Sequence, residues 1–195
     1  MNLYQKLQQR EQQEKPILVG MIGVGKFGSM YLAQVPKTPG VEVVGISDLS
    51  PSQAKSNLLL VGWTEDRLSV KFINEAVKNN LTCLTDDWES VVSHPSIDLL
   101  VESTGSPSHA VDHILGAFEH GKHVVNVIFE TDAFCGPLLI KKALSAGVVC
   151  SLAFGDQPAM ICDLVELARV CGFPVTAAGR GHKWLPDCSE TQIIF

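Results

Sequence analysis

The residues best placed to do chemistry lie near the start of the chain. Gly23, Gly25 and Gly28 form a Gly-x-Gly-x-x-Gly pattern between the apolar run Ile17 to Ile22 and the stretch Ser29-Met30-Tyr31-Leu32-Ala33-Gln34. A buried strand, a glycine turn and a helix in that order make the pattern informative. Gly23 permits the tight turn, Gly25 lets backbone approach a pyrophosphate, and Gly28 lets helix and strand pack closely. Lys26 and Phe27 are counted with the glycines as cofactor-binding residues, next to a helix whose first-turn N–H groups and positive dipole end face the anion. Asp48 stands 20 residues after Gly28, at the end of a second apolar run, Val41 to Ser47. A carboxylate at that spacing accepts hydrogen bonds from the adenosine ribose hydroxyls and repels a 2′-phosphate. These residues predict a site for a dinucleotide, with NAD favoured over NADP. The plainer alternative is a glycine-rich turn joining two elements.

Two later stretches extend that site. Ser103, Thr104 and Gly105 end a predicted strand, Ile97 to Glu102, and a small polar strand end suits the crevice where doubly wound sheets bind ligands. They are placed to line the ribose and nicotinamide side, and Asn126 closes the next strand, Lys122 to Val127. His109, His113 and His120 lie on or beside one predicted helix. No carboxylate or cysteine partner is evident for them in the sequence, so no metal site is expected.

These residues need a scaffold, and the composition supplies one. The chain has 195 residues, 46% of them hydrophobic and 18% charged, enough for a sizeable core. A net charge of −6 without a Lys/Arg-rich block argues against a nucleic-acid surface. The six cysteines, Cys83, Cys135, Cys150, Cys162, Cys171 and Cys188, form no C-x-x-C pair. They read as reduced, mostly buried residues of a cytoplasmic protein. Residues 1–15 are polar and glutamine-rich, neither signal peptide nor membrane span, and no other apolar run is long enough for one.

The elements alternate. Residues 2–14 read as a leader helix stopped by Pro16, packing on the domain or on a partner subunit, a homo-oligomer included, with a disordered leader as the alternative. Helices are predicted from Ser50-Pro51 with serine as the cap, over Asp66 to Asn79, from Trp88, and from Pro107 to His120. Further helices run from an Asp132 cap to Ala146 and over Ala159 to Cys171. Strands are predicted at Leu81–Thr85, Val148–Leu152 and Phe173–Ala178. Alternating strands and helices with short turns give an α/β fold, a Rossmann-type doubly wound parallel sheet over 16–155. Residues 156–195 read as the beginning of a second, substrate-binding or oligomerisation domain.

Several motifs together carry a family resemblance. Val19 to Met30, Val101-Glu102-Ser103-Thr104-Gly105, Gly136-Pro137-Leu138-Leu139, Ala146-Gly147-Val148-Val149, Gly155-Asp156-Gln157-Pro158 and Ala178 to Lys183 resemble the homoserine-dehydrogenase-like oxidoreductases that carry a C-terminal SAF domain. The chain is also similar to the bacterial reductoisomerase-like enzyme acting on deoxyxylulose phosphate. The resemblance implies an NAD(P)-dependent enzyme that moves a hydride to or from a small hydroxy or carbonyl compound. Two departures stand out. Homoserine dehydrogenases carry an asparagine–lysine pair after the strand matching His123–Val127, whereas Asn126-Val127-Ile128-Phe129-Glu130 supplies no lysine. The family also continues through a substrate domain and then SAF, so a chain of this length is expected to be incomplete for catalysis.

Hydride transfer needs an acid or base for the hydroxyl proton. Lys183 is the first candidate, with a solvated surface lysine as its alternative. Glu130 and Asp156 follow, with helix caps as theirs. The rival reading of the whole chain is a non-catalytic dinucleotide-binding module, a sensor or regulatory domain.

Overall fold

The computed structural model describes residues 2–153 and 158–178. The chain divides into two compact units, residues 1–152 and 153–195. The first contains α1 (Leu3–Gln12), β1 (Ile17–Ile22), α2 (Lys26–Gln34), β2 (Val41–Ser47), α3 (Pro51–Leu60), α4 (Ile73–Asn79), β3 (Cys83–Thr85) and α5 (Trp88–Ser93). It continues with β4 (Leu99–Glu102), α6 (Pro107–Glu119), β5 (His123–Asn126), α7 (Phe129–Ala146) and β6 (Cys150–Leu152). In the second unit the described residues form α8, Pro158–Val170.

All six strands pair in parallel in the order β3-β2-β1-β4-β5-β6. This is the doubly wound order whose direction reverses between β1 and β4. The alternation of side chains along each strand divides the core in two. Val19 and Met21 of β1 join Val43, Ile46, Leu32, Leu58 and Trp63 on the α2–α3 face. Ile22 and Leu100 join Ile97, Ile114, Phe118 and Leu139 on the α4–α7 face. On β4 the same period of two puts Glu102 on the face of Leu100, toward α5 and α6. The charge of Glu102 therefore enters the core beside α6.

Several boundaries differ from the sequence reading. Ser50 occupies the N-cap of α3 without a side-chain capping bond; Asp48 Oδ1 instead accepts from Ser50 N at 2.9 Å. The helix expected over 66–79 is two pieces, a 3-10 turn at Asp66–Leu68 and α4. Arg67 O accepts from Thr82 N (2.8 Å) and Asp66 O from the Ser69 hydroxyl, which ties that turn off. Asp132 lies inside the first turn of α7, whose N-cap is Ile128; Asn126 starts this helix earlier by bonding to the Ile128 backbone. Residues 173–178 carry no regular structure, since a strand there lacks a ladder partner among the described residues. Cys83 is buried, but Cys162 and Cys171 are exposed, against the expectation of mostly buried thiols, and all five described cysteines are unpaired. The leader helix forms with an Asn2–Gln5 capping box and buries none of its residues. Among the described residues no helix is long and apolar enough to cross a membrane.

Candidate functional site

The glycine turn has three different steric environments. Gly23 has φ +93°, and a Cβ there would stand 2.8 Å from the Ser103 carbonyl carbon and oxygen. A side chain at that position would push apart β1 and β4, the two strands flanking the switch point. A Cβ at Gly28 would come within 2.5 Å of Gly23 O and 2.9 Å of Met21 Cε, so α2 rests directly on β1. Gly25, the N-cap of α2, has nothing within 4 Å of its Cβ position and no side-chain cap. Open space in front of an uncapped first helical turn is what a pyrophosphate requires. Lys26 and Phe27 contribute that turn's backbone, with both side chains exposed.

Asp48 holds the turn from the β2 side. Its Oδ2 accepts from Val24 N at 2.8 Å, while Asn57 Nδ2 donates to Val24 O at 2.9 Å. Gln53 Nε2 in turn donates to Asn57 Oδ1 at 3.1 Å. A carboxylate has about four acceptor positions, and these backbone bonds use two, leaving capacity for ligand hydroxyls. From the β4 side, the Ser103 hydroxyl donates to Gly23 O at 2.8 Å. Ser103 thus pins the turn, and Thr104 is the β4-end residue that faces the cleft.

The cleft so formed has a volume of about 440 Å³ and is lined by Gly23, Gly25, Asp48, Thr104, Trp88 and His113 among others. It lies beyond the carboxyl ends of β1, β2 and β4, where open parallel sheets bind ligands. A larger cavity, about 960 Å³, sits at the opposite ends of the strands under α1, lined by Arg10, Lys15, Glu42, Arg67 and Asp98. It is remote from the glycine turn and mixes charges of both signs.

Under the cleft wall is a buried polar group that the sequence reading missed. Glu102 is 0% exposed. Its Oε1 accepts from Thr104 N (3.0 Å) and the Thr104 hydroxyl, and its Oε2 accepts from His113 Nδ1 at 2.8 Å. His113, 7% exposed, packs against Trp88 with ring centroids 4.7 Å apart and a 56° tilt. His113 therefore does have a carboxylate partner, but as a hydrogen bond; among the described residues no three His, Cys, Asp or Glu side chains are placed to hold a metal. Glu102 and His113 are 11 residues apart, across a strand end and a helix turn, a spacing that no local period flags. Trp88, Asn57 and Gln53 read as ordinary helical residues until β2, β3 and β4 bring their helices to one edge.

The other sequence candidates fall outside this cluster. Asn126 is buried, with both polar atoms bonded to the Ile128 backbone (3.0 Å each), and does not line the cleft. Gly105 has φ +74° and open space around it in the turn before α6. Glu130 is exposed in the first turn of α7. Asp156 and Lys183 lie outside the described residues.

Comparison with known proteins gives these positions a context. Residues 17–130 match a family described as an oxidoreductase family with an NAD-binding Rossmann fold, and residues 155–193 match a model described as the catalytic domain of oxidoreductase DRL. An uncharacterized oxidoreductase, YrbE, of Bacillus subtilis strain 168 is 24% identical over 56% of this chain and 27% of its own. A glycosyl hydrolase family 109 protein of Porphyromonas gingivalis is 28% identical over 55% of this chain and 21% of its own. The chain thus spans about a quarter of the length of these curated relatives. Among solved structures, a homoserine dehydrogenase from Thiobacillus denitrificans is 25% identical, with a TM-score of 0.54 over 71% of this chain and 29% of that one. An NAD binding oxidoreductase from Klebsiella pneumoniae gives 0.54 over 80% of this chain and 39% of its own, at 18% identity, a likeness of fold.

Proposed function

From the premise that the chain belongs to the oxidoreductase family with an NAD-binding Rossmann fold, we propose that it is the cofactor-holding part of an NAD(P)-dependent, homoserine-dehydrogenase-like dehydrogenase or reductase. Its substrate is a small hydroxy or carbonyl compound. The observation that carries this reading is the open cradle at Gly25, flanked by Asp48 on one side and by the pinned Gly23–Ser103 contact on the other. The residues present fit a dinucleotide. The α2 backbone would hold the pyrophosphate, and Asp48 would accept the adenosine ribose hydroxyls. Thr104 at the β4 end, which lines the same cleft, would meet the ligand there.

When bound, the nicotinamide supplies the hydride chemistry. The chain's own task is to hold its ligand still, exclude water and move the hydroxyl proton. We assign that proton to Lys183, with Asp156 and Glu130 as the other candidates. The Asp48 carboxylate, with no arginine close behind it in sequence, supports NAD over NADP. The relatives carry different names, so the reading of the substrate rests on the homoserine-dehydrogenase resemblance.

Calorimetric titration with NADH and NADPH tests the reading. NADH is expected to bind more tightly, and Gly25→Val is expected to abolish binding in a folded protein. Absence of binding by either dinucleotide overturns the proposal. Binding without turnover of any small alcohol or aldehyde, with Lys183→Ala indistinguishable from the parent, would instead support a non-catalytic dinucleotide-binding module.

A further inference from the structure

With the pyrophosphate at the glycine turn and the ribose at Asp48, the lining residues left for the base include Trp88 and His113 of the same cleft. An apolar slot would suffice to hold a purine. Here the wall carries an imidazole whose orientation is fixed by a hydrogen bond and a ring contact. Glu102 accepts from Nδ1, Thr104 holds the Glu102 carboxylate through its amide and hydroxyl, and Trp88 packs against the ring. Trp88 itself sits over Gly116, one turn past His113, where a Cβ would stand 3.1 Å from Cζ3.

An ionised carboxylate only accepts, so the Glu102 contact places a proton on His113 Nδ1. In the neutral ring Nε2 is then an acceptor, and it has no protein partner among the described residues. Nε2 is not fully buried, so this open acceptor on a cleft-lining side chain is within reach of a donor on a ligand. Adenine offers one, its exocyclic amino group.

We propose that His113, oriented by Glu102, selects the purine of the dinucleotide: its Nε2 accepts the adenine amino group and disfavours hypoxanthine, which presents a carbonyl oxygen instead. This rests on the cofactor reading above. His113 is the specificity-determining residue, and Glu102 and Thr104 position it.

The test compares NADH with reduced nicotinamide hypoxanthine dinucleotide by calorimetry on the whole chain. The hypoxanthine form should bind at least ~10-fold more weakly, because it leaves two acceptors facing each other. The double variant Glu102→Gln/His113→Phe removes the ring nitrogens without stranding a buried charge, and should bring the two affinities within about twofold. Two-bond proton–nitrogen spectra of His113 give a readout that needs no variant. Nδ1 should be protonated, and the bare Nε2 resonance should move with NADH and stay in place with the hypoxanthine form. Equal affinities in the parent, an unmoved Nε2 resonance, or a ratio preserved in a folded double variant would overturn the inference and leave the cofactor reading standing. Failure of both dinucleotides to bind would overturn the cofactor reading, and this inference with it.

Discussion

At the scale of single residues, the glycines of the turn separate fold from function. Gly25→Val places its side chain in open space, so its melting temperature should match the parent while dinucleotide binding is lost. Gly28→Val drives a side chain into Gly23 O and Met21 Cε, and should cost about 1–3 kcal/mol in denaturant unfolding. The three glycines look alike in sequence; only the distances from their Cβ positions show which two are closed by packing and which one is left open. The cysteines allow a pH prediction. Burial, then the nearby Asp132 and Cys135, push the Cys150 thiol up to about 11, and burial with Asp132 raises Cys135 as well. Both stay protonated at about pH 8, so disulfide reagents should label the exposed Cys162 and Cys171 first, as mass spectrometry can score. The folded chain holds the Cys150 proton more tightly than the unfolded chain. This contribution to stability is therefore complete below the ordinary thiol value and falls as pH rises from there towards about 11. Glu102 and His113 were illegible as a pair because their contact depends on which face of β4 the glutamate takes and on where α6 docks.

At the scale of elements, the strands were legible because their apolar runs are short, continuous and bounded by breakers, as in Val41–Ser47. Helix starts were less so, since local rules name the residue at the cap position and not the partner that satisfies it. Asp48 illustrates this by serving α3 through Ser50 N and the glycine turn through Val24 N. Asp48→Ala should therefore weaken dinucleotide binding and also loosen the turn, visible as faster amide exchange at Val24. The most irregular element is α7, 18 residues long with Pro137 in its interior and Asp132 Oδ1 folded over Gly136, 2.5 Å from where a Cβ would stand. An interior proline removes one helical hydrogen bond and clashes with the preceding turn. Pro137 is exposed and far along the helix from the capping turn at Ile128. Pro137→Ala should raise stability by about 1–3 kcal/mol, measured by urea unfolding. No change or a loss would mean that the packing around α7 depends on the proline.

At the scale of the whole molecule, every residue lining the cleft falls between Ile22 and His113, and all six strands belong to the unit ending at Leu152. The proposed acid/base residues Asp156 and Lys183 belong to the other unit. Holding the dinucleotide and moving the substrate proton are thus assigned to different stretches of chain, and shortening the chain should separate them. A version ending at Leu152 keeps the glycine turn, Asp48, Thr104 and the Glu102–His113 pair with all their described hydrogen bonds. Groups that share no partners contribute nearly independently, so its affinity for NADH should stay within about threefold of the full chain. Any hydride transfer by the full chain should disappear, because Lys183, to which the proton is assigned, is then removed. Calorimetry and a stopped-flow absorbance assay on the two lengths measure both quantities, with circular dichroism establishing that the shorter chain is folded. A folded short chain that binds more than about tenfold more weakly would place cofactor contacts beyond Leu152, and one that still transfers hydride would move the acid or base into the first unit, where Glu130 is the candidate that remains.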